Sequence, residues 1–532
     1  MYPDIVAQMA ALQPFLAIAS AFVLPLLSLA VKRRVAWESF ALTIAAINFI
    51  LSIFLTYGLY ASSSTQPLIY AFGAWPPPVG IVYELDRAGA LMGLLITGLV
   101  LAATIFSLRY MEHDTGVQYY YTLLLGFEAG MLGCVYTGDA FNLFVMLEVM
   151  SISAYGLVAF RRHVHEAVEA AIKYAIVGSV ATTVYFIAII FAYGAFGTLN
   201  MADLALKLRG STLPVTGPPL GNVFLSSAIF LALTFWAFSL KAAVAPNHFW
   251  LPDAHPAAPS PISALLSGIM VKVAIFALMR YLFTIFRGAP LTAPVVQVLD
   301  YTLIVLGVTS AIIGSALMLL QRDIKRLIAY GTILNIGYIA MGMGLGSQGG
   351  LTAALFHLVN HAIGKALLFM AAGALIHAAG TRDFDGLAGV GKRMPLTSAA
   401  FLIGALALAG APPLNGFMSK LWLFMAYLET GWLAPLVVVI VVTSVLGLMG
   451  YMKAFYHVYA RQPVRDLSSI GEAPKSMVAP LLALAGLCIL LGLIAPLFVD
   501  RVISPAVSSL FDYQGYTAAA QRFAQAIFEG GR

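Results

Sequence analysis

Five lysines, Lys173, Lys241, Lys272, Lys365 and Lys420, fall inside long apolar runs. At the centre of a membrane helix a lysine costs roughly 2.5–3.5 kcal/mol on insertion scales, so the set costs about 12–18 kcal/mol without partners. An ordinary domain has a whole folding stability of only about 5–15 kcal/mol. These ammonium groups must therefore face protein, water or acids. Acids are scarcer: Glu148 is central in its run, Glu128 sits mid-run in the preceding one, and Glu169 stands one turn before Lys173. His357, His361 and Lys365 recur at i, i+4 and i+8, which aligns them on one face of one helix beside Asn360. Histidine titrates near neutral pH and passes a proton through either ring nitrogen. Three titratable groups in a stripe read as a proton relay.

Each of these groups has a plainer reading. Lys173 with Glu169 at i,i+4 fits a helix-stabilising ion pair equally well, and Glu128 serves equally as a structural hydrogen-bond partner. Arg280 is expected to snorkel to the surface. Glu148, Lys241 and Lys272 are too deep for that and point to function. A haem is excluded, because two axial ligands one turn apart on one helix cannot flank an iron. Cys134 and Cys488 are too few for an iron–sulfur cluster. Gly386 to Lys392 spells Gly-x-x-x-x-Gly-Lys, but Arg393 stands where a phosphate loop needs Ser or Thr. No metal and no cofactor site is expected.

The elements that position these residues are membrane spans. Hydrophobic residues make up 61% of the 532 and charged ones only 10%, against about 25% charged in soluble domains. About 20 apolar helical residues cross a bilayer, and the pattern predicts about fourteen spans. They start near Pro14, Trp37, Ala88, Val117, Ala140, Ala167, Asn222, Ile262, Asp300, Leu327, Leu351, Leu396, Trp432 and Met477. Ala61 to Tyr83 is a polar excursion with room for a hairpin, Asn200 to Gly221 is a loop, and Val502 to Arg532 is a partly amphipathic tail. The net charge of +6 comes mainly from short loops and calls for no nucleic acid. Sixteen basic residues, Lys32 to Lys475 and including Lys325, fall on one side; seven, including Arg87, Lys207 and Arg532, fall on the other. The positive-inside rule then puts both termini outside, and no cleaved signal peptide is expected.

A faint repeat relates Tyr155 to Tyr338, and at the same offset Gly197-Thr198 to Gly380-Thr381 and Leu204-Ala205 to Leu387-Ala388. The offset covers five spans, so the copies are inverted, as in many transporters. Each is followed by a proline-interrupted span, Lys241 to Pro246 and Pro412-Pro413 to Lys420. The expected fold is an all-α membrane protein with two inverted five-helix repeats, each with a broken helix. Its expected divisions are residues 1–115, 116–286 and 298–460, then 475–532.

The run FSLKAAVAPNHFWLPDAHPAAPSP (Phe238 to Pro261) resembles the signature of the proton-translocating antiporter-like subunits of respiratory complex I. Mrp-type multisubunit Na⁺/H⁺ antiporters and membrane-bound hydrogenases share these subunits. QRDIKRLIAYGTILNIGY (Gln321 to Tyr338), HLVNHAIGK (His357 to Lys365) and GAPPLNGFMSK (Gly410 to Lys420) resemble further family segments in the family's order. The resemblance implies fourteen spans with two inverted repeats. It also implies a proton pathway through Glu148, Lys241, Lys272, His357, His361 and Lys420, with Glu128, Lys173, His248 and Lys365 as accessory candidates. Lysine at 420 departs from the one complex I subunit that carries glutamate there, and the D-type Mrp subunit is the nearest pattern.

The expected mechanism is a Glu148–Lys241 ion pair that opens and closes, sending a proton to Lys272. From there it passes through His361 and His357 to Lys420. Expected partners are sister membrane subunits in the cell membrane, with H⁺, and Na⁺ in the antiporter case, as cargo. Two rivals stand beside this: the membrane subunit of a quinone oxidoreductase, whose redox chemistry would belong to other chains, and a stand-alone solute carrier.

Overall fold

The structure is a computed structural model that describes residues 5–62, 64–214 and 216–530; Arg532 lies outside the described residues. In chain order come α1 (Ile5–Ala30), α2 (Arg34–Ala61), the antiparallel hairpin β1 (Leu68–Ala71) and β2 (Val82–Leu85), α3 (Arg87–Tyr110) and α4 (Val117–Tyr136). Next are α5 (Ala140–Val158), α6 (His165–Phe196), the short α7 (Met201–Lys207), α8 (Val223–Lys241) and α9 (Leu251–Ala257). The helices α10 (Ser260–Leu265) and α11 (Val271–Met279) are joined by a π-helical turn, Leu266–Met270, and continued by another, Arg280–Phe286. Together they make one rod, Ser260–Phe286. Then follow α12 (Ala293–Leu320), α13 (Ile324–Gly344), α14 (Gln348–Ala379), α15 (Pro395–Ala409), α16 (Asn415–Leu428), α17 (Val437–Phe455) and α18 (Lys475–Leu493). The chain closes on α19 (Ala495–Phe498), α20 (Ser504–Phe511) and α21 (Tyr513–Gly530).

Among the described residues, twelve helical segments are long and apolar enough to cross a membrane. The protein is a predominantly helical, multi-pass membrane protein, with the small hairpin at the polar excursion that had room for one. Polar residues set the helix starts: Asp86, Asp139 and Asn222 each accept a backbone N–H of the following turn at 2.8 to 3.0 Å. The first span begins at Ile5, not near Pro14, and carries Pro14 and Pro25 inside it; neighbouring helices make internal prolines tolerable in a bilayer.

Burial identifies the centre of the bundle. The rod Ser260–Phe286 is 100% buried over its apolar window, against 28% for the segment containing α17. α13 and α14 flank the rod and are nearly as enclosed. One end of the bundle carries the hairpin, which bridges Tyr83 to Thr137 ahead of α5. At that end Asp139 bridges Asn200, and at the opposite end Asp323, ahead of α13, bridges Asp383 in the same antiparallel manner.

Two helices are interrupted in mid-bundle. After Lys241 the chain leaves the helix, with Ala243 at φ +55°, a region costly for a residue with a Cβ. The exposed backbone is met by protein groups, as a membrane interior demands. Trp250 Nε1 donates to the Leu240 carbonyl at 2.9 Å, and Ser310 Oγ accepts the Ala245 N–H at 2.8 Å. The second break separates α15 from α16, where Asn360 Nδ2 donates to the Asn415 carbonyl at 2.9 Å.

Candidate functional site

Lys241 ends α8 just before the first break, and its buried Nζ donates to Ser151 Oγ at 2.6 Å and Tyr155 Oη at 3.4 Å. Both acceptors lie on α5, one and two turns beyond Glu148. Room for the tyrosine comes from Gly178 on α6, where a Cβ would lie 1.9 Å from Tyr155 Oη. Glu148 is half-buried, and it makes no ion pair with Lys241 among the described residues. The Lys241 ammonium is instead occupied by the two hydroxyls.

Lys272 lies mid-rod, fully buried, with Nζ donating to the Ser267 carbonyl. The Ser267 hydroxyl meets Thr332 Oγ1 on α13 at 2.6 Å. On α14, His357 places Nδ1 2.9 Å from Ser419 Oγ of α16 and Nε2 3.1 Å from Asn335 Oδ1 of α13. The His361 ring stacks parallel to it at 6.1 Å, with neither nitrogen held by a protein group. Lys365 donates to the Ile328 carbonyl at 2.6 Å and Tyr451 Oη at 3.0 Å. Since His357 meets Asn335 and Lys365 meets Ile328, the stripe runs along antiparallel α13. Gly331 opens that contact: a Cβ there would come 2.8 Å from Lys365 Nζ and 2.3 Å from Tyr451 Oη.

Lys420, on α16 beyond the second break, donates to the Leu408 and Ala409 carbonyls at 3.0 and 2.9 Å and sits 5.1 Å from the Tyr338 ring centroid. It caps the carbonyls that the break exposes, where a helix C-terminus favours a cation. Lys272, His357, His361 and Lys420, with Lys365 beside them, thus form one polar axis along α13, met at Thr332, Asn335, Ile328 and Tyr338, while Lys241 keeps its own contacts on α5. The sequence reading missed the hydroxyl and amide groups around them, Ser151, Ser267, Thr332, Asn335 and Ser419; their one signal was small polar residues inside apolar runs.

The other candidates lie elsewhere. Buried Glu128 accepts from Asn48 Nδ2 at 3.2 Å, in a network of Gln13, Ser52, Thr97 and Tyr136 that links α1 to α4. Lys173 is half-exposed and pairs with Glu169 at 2.7 Å. The pair borders a cleft of about 350 Å³ at the end opposite the hairpin, with Asp253 and Arg326, themselves paired at 3.1 Å, on its wall. His248 lies half-buried in the first break.

Three basic residues differ from their sequence reading. Arg280 does not snorkel: it is buried and grips Asp86 through two bonds of 2.6 and 2.8 Å, with Tyr516 over its guanidinium. Lys325 and Lys207, counted as loop charges, are buried; Lys325 donates to the Ala258 carbonyl at 2.6 Å, and Lys207 to the Phe196 carbonyl at 2.6 Å, with Asp203 at 3.4 Å. Lys325 and the equally buried His255, stacked on Phe369 at 4.6 Å, extend the polar axis away from the hairpin. In the hairpin itself, burial pushes the Glu84 carboxyl well above the usual carboxylate range, against the smaller pull of Tyr516 and Arg280.

Residues 137–447 match the family model described as NADH:quinone oxidoreductase/Mrp antiporter, TM. Residues 78–121 match one described as NADH-ubiquinone oxidoreductase (complex I), chain 5 N-terminus. The chain is 34% identical over 459 residues to the N-type subunit of NADH-quinone oxidoreductase from Desulforudis audaxviator, covering 83% of this chain and 88% of that protein. It is 31% identical over 467 residues to the D-type subunit of a Na⁺/H⁺ antiporter from Alkalihalophilus pseudofirmus, covering 86% and 90%. A chain of the membrane-bound sulfane sulfur reductase, an archaeal respiratory membrane complex, superposes with a TM-score of 0.85 at 30% identity, over 96% of this chain and 100% of that one.

Proposed function

Because the chain belongs to the NADH:quinone oxidoreductase/Mrp antiporter family of membrane subunits, we propose that it is a proton-translocating, antiporter-like subunit of a multisubunit membrane complex. Its partners are sister membrane subunits, and its cargo is H⁺, exchanged for Na⁺ where the assembly is an antiporter. The observation that carries this is the set of buried basic side chains Lys241, Lys272, His361, His357 and Lys420, without a buried carboxylate partner among the described residues, in the middle of an apolar bundle. Such groups are retained at a cost to stability only where they are used.

Two finer readings go with it. Adding α4 and the broken pair α15–α16 to the twelve apolar segments makes fourteen crossings. The inverted repeat is supported by the two matching bridges, Asp139 to Asn200 and Asp323 to Asp383, at opposite ends of the bundle. It is supported again by Lys241 beside Tyr155 and Lys420 beside Tyr338, the tyrosines related by the sequence repeat. The divisions 116–286 and 298–460 follow these copies. The basic loops face inward, so both termini lie outside.

In the proposed cycle Glu148 and Lys241 close into an ion pair when the subunit loads, and open to the arrangement in this structure. An opened pair leaves the ammonium without its counter-charge, and the proton moves to Lys272, then through His361 and His357 to Lys420. The test is Glu148→Gln in the assembled complex. Only the charge is lost, so insertion and assembly should persist while ion translocation in proteoliposomes stops; pumping at the wild-type rate would refute the pairing.

A further inference from the structure

At the end of the bundle opposite the hairpin, the turn after α3 and the last turn of α14 bring together three side chains outside the polar axis: Glu112, His113 and His377. One ligand-type atom of each lies within 4.8 Å of the other two. His113 Nε2 and His377 Nε2 stand 3.5 and 3.4 Å from the same oxygen, Glu112 Oε1. The two rings are parallel to within 9°, their centroids 5.8 Å apart.

These separations exceed an N–H···O hydrogen bond, about 2.7–3.2 Å. They match the edge of a tetrahedron around a metal ion, roughly 3.3–3.4 Å when the metal–ligand bonds are about 2.0–2.1 Å. Two imidazoles and a carboxylate are the donor set of borderline divalent cations. The glutamate is already oriented: Arg109 holds its Oε2 at 3.2 Å, and Arg34 donates to its backbone carbonyl at 2.9 Å. Such outer partners fix a ligand and leave its free oxygen aimed. His377 rests against Tyr110 at 5.6 Å, while the His113 side chain is 82% exposed and leaves the cluster open to solution.

We propose that Glu112, His113 and His377 bind one borderline divalent cation of the Zn²⁺ class, tying the α3–α4 turn to α14. An ordinary surface pair would bring one histidine to one carboxylate. Here residues from two separate segments converge on one oxygen. The two arginines oppose a cation electrostatically and keep the affinity moderate. Sequence reading expected no metal; His377 lies far along the chain from the adjacent Glu112 and His113, so no ligand spacing shows. Since α14 carries His357, His361 and Lys365, an occupied site pins the end of the helix that presents them.

The test uses the full chain in its assembled complex, purified without a histidine tag and titrated with ZnCl₂ against a chromophoric chelator. One saturable site is expected, weakened at least tenfold by His377→Ala, His113→Ala or Glu112→Gln. Zn²⁺ should also raise the unfolding temperature of the wild type and leave the three variants unmoved. Exposed His113 can be replaced without disturbing the fold, so that variant separates lost ligation from lost structure. Absence of a saturable site, or Zn²⁺ binding that survives all three substitutions, would overturn the proposal.

Discussion

Lys272→Met exchanges an ammonium for an apolar chain of similar length in the most enclosed rod of the bundle, and should make the protein more stable and inactive at once. Lys272 is fully buried, and its partner among the described residues is the Ser267 carbonyl. A lysine at mid-membrane costs roughly 2.5–3.5 kcal/mol, while a hydrogen bond from a charged donor returns about 1.5–3 kcal/mol. The lysine is therefore a net burden of up to about 2 kcal/mol, which methionine removes while filling the space with an adaptable side chain. Cys134 and Cys488 are free and buried, so a thiol-reactive dye reports unfolding of detergent-solubilised protein on heating. The variant should melt above the wild type, and its complex in proteoliposomes should not translocate ions. Lys272→Arg should be equally inactive, because arginine keeps its proton. A methionine variant that melts lower, or either variant pumping normally, would refute the reasoning.

Three further outcomes are expected. Lys420→Ala should block ion release per assembled complex and Lys420→Glu should keep part of it; if alanine lowers only assembly and leaves the rate per complex unchanged, Lys420 is merely the cap of Leu408 and Ala409 and leaves the pathway. Gly178→Ala drives a methyl into Tyr155 Oη, at a cost of about 1–3 kcal/mol for overpacking against roughly 1 kcal/mol gained in helix propensity, so both melting temperature and transport should fall; a variant matching the wild type in both would show that Tyr155 moves freely. Glu84 holds a proton in the folded state that the unfolded chain releases near its ordinary value, so stability falls as pH rises from there towards the raised folded value; Glu84→Gln should flatten that decline, and an unchanged profile of melting temperature against pH would remove Glu84 as its source.

Span starts were readable because they carry local signals. Val117 and Ala140 begin their helices as expected, the latter behind the cap of Asp139. The same local reading set the first span too late, since Pro14 looks like a boundary when neighbouring helices are unknown. The histidine stripe was readable from periodicity alone. What it touches was not, because Asn335, Ser419 and Tyr451 lie on other helices. Charges were misplaced for the same reason. Arg280 looks free until Asp86, from a distant segment, arrives as its partner, and Lys325 and Lys207 look like solvated loop residues until helix-end carbonyls claim them. Hydropathy reads depth along one helix, whereas a buried charge depends on contacts between helices.

The π-helical turn Leu266–Met270 has a consequence for how this rod can change over time. Such a turn is an α-helix with one residue inserted, and each residue of an α-helix advances the chain by about 100° of rotation and about 1.5 Å of rise. Deleting a single residue there would close the turn to an α-helical one and change neither the length of the rod nor the direction of Lys272 by much, because the wider turn absorbs the extra residue. The azimuth of the central lysine is thus buffered against a one-residue change upstream, which the same deletion in an unbroken α-helix would turn into a swing of about 100°. Sequences aligned across this rod should be expected to gain or lose that residue while the lysine beyond it keeps its direction.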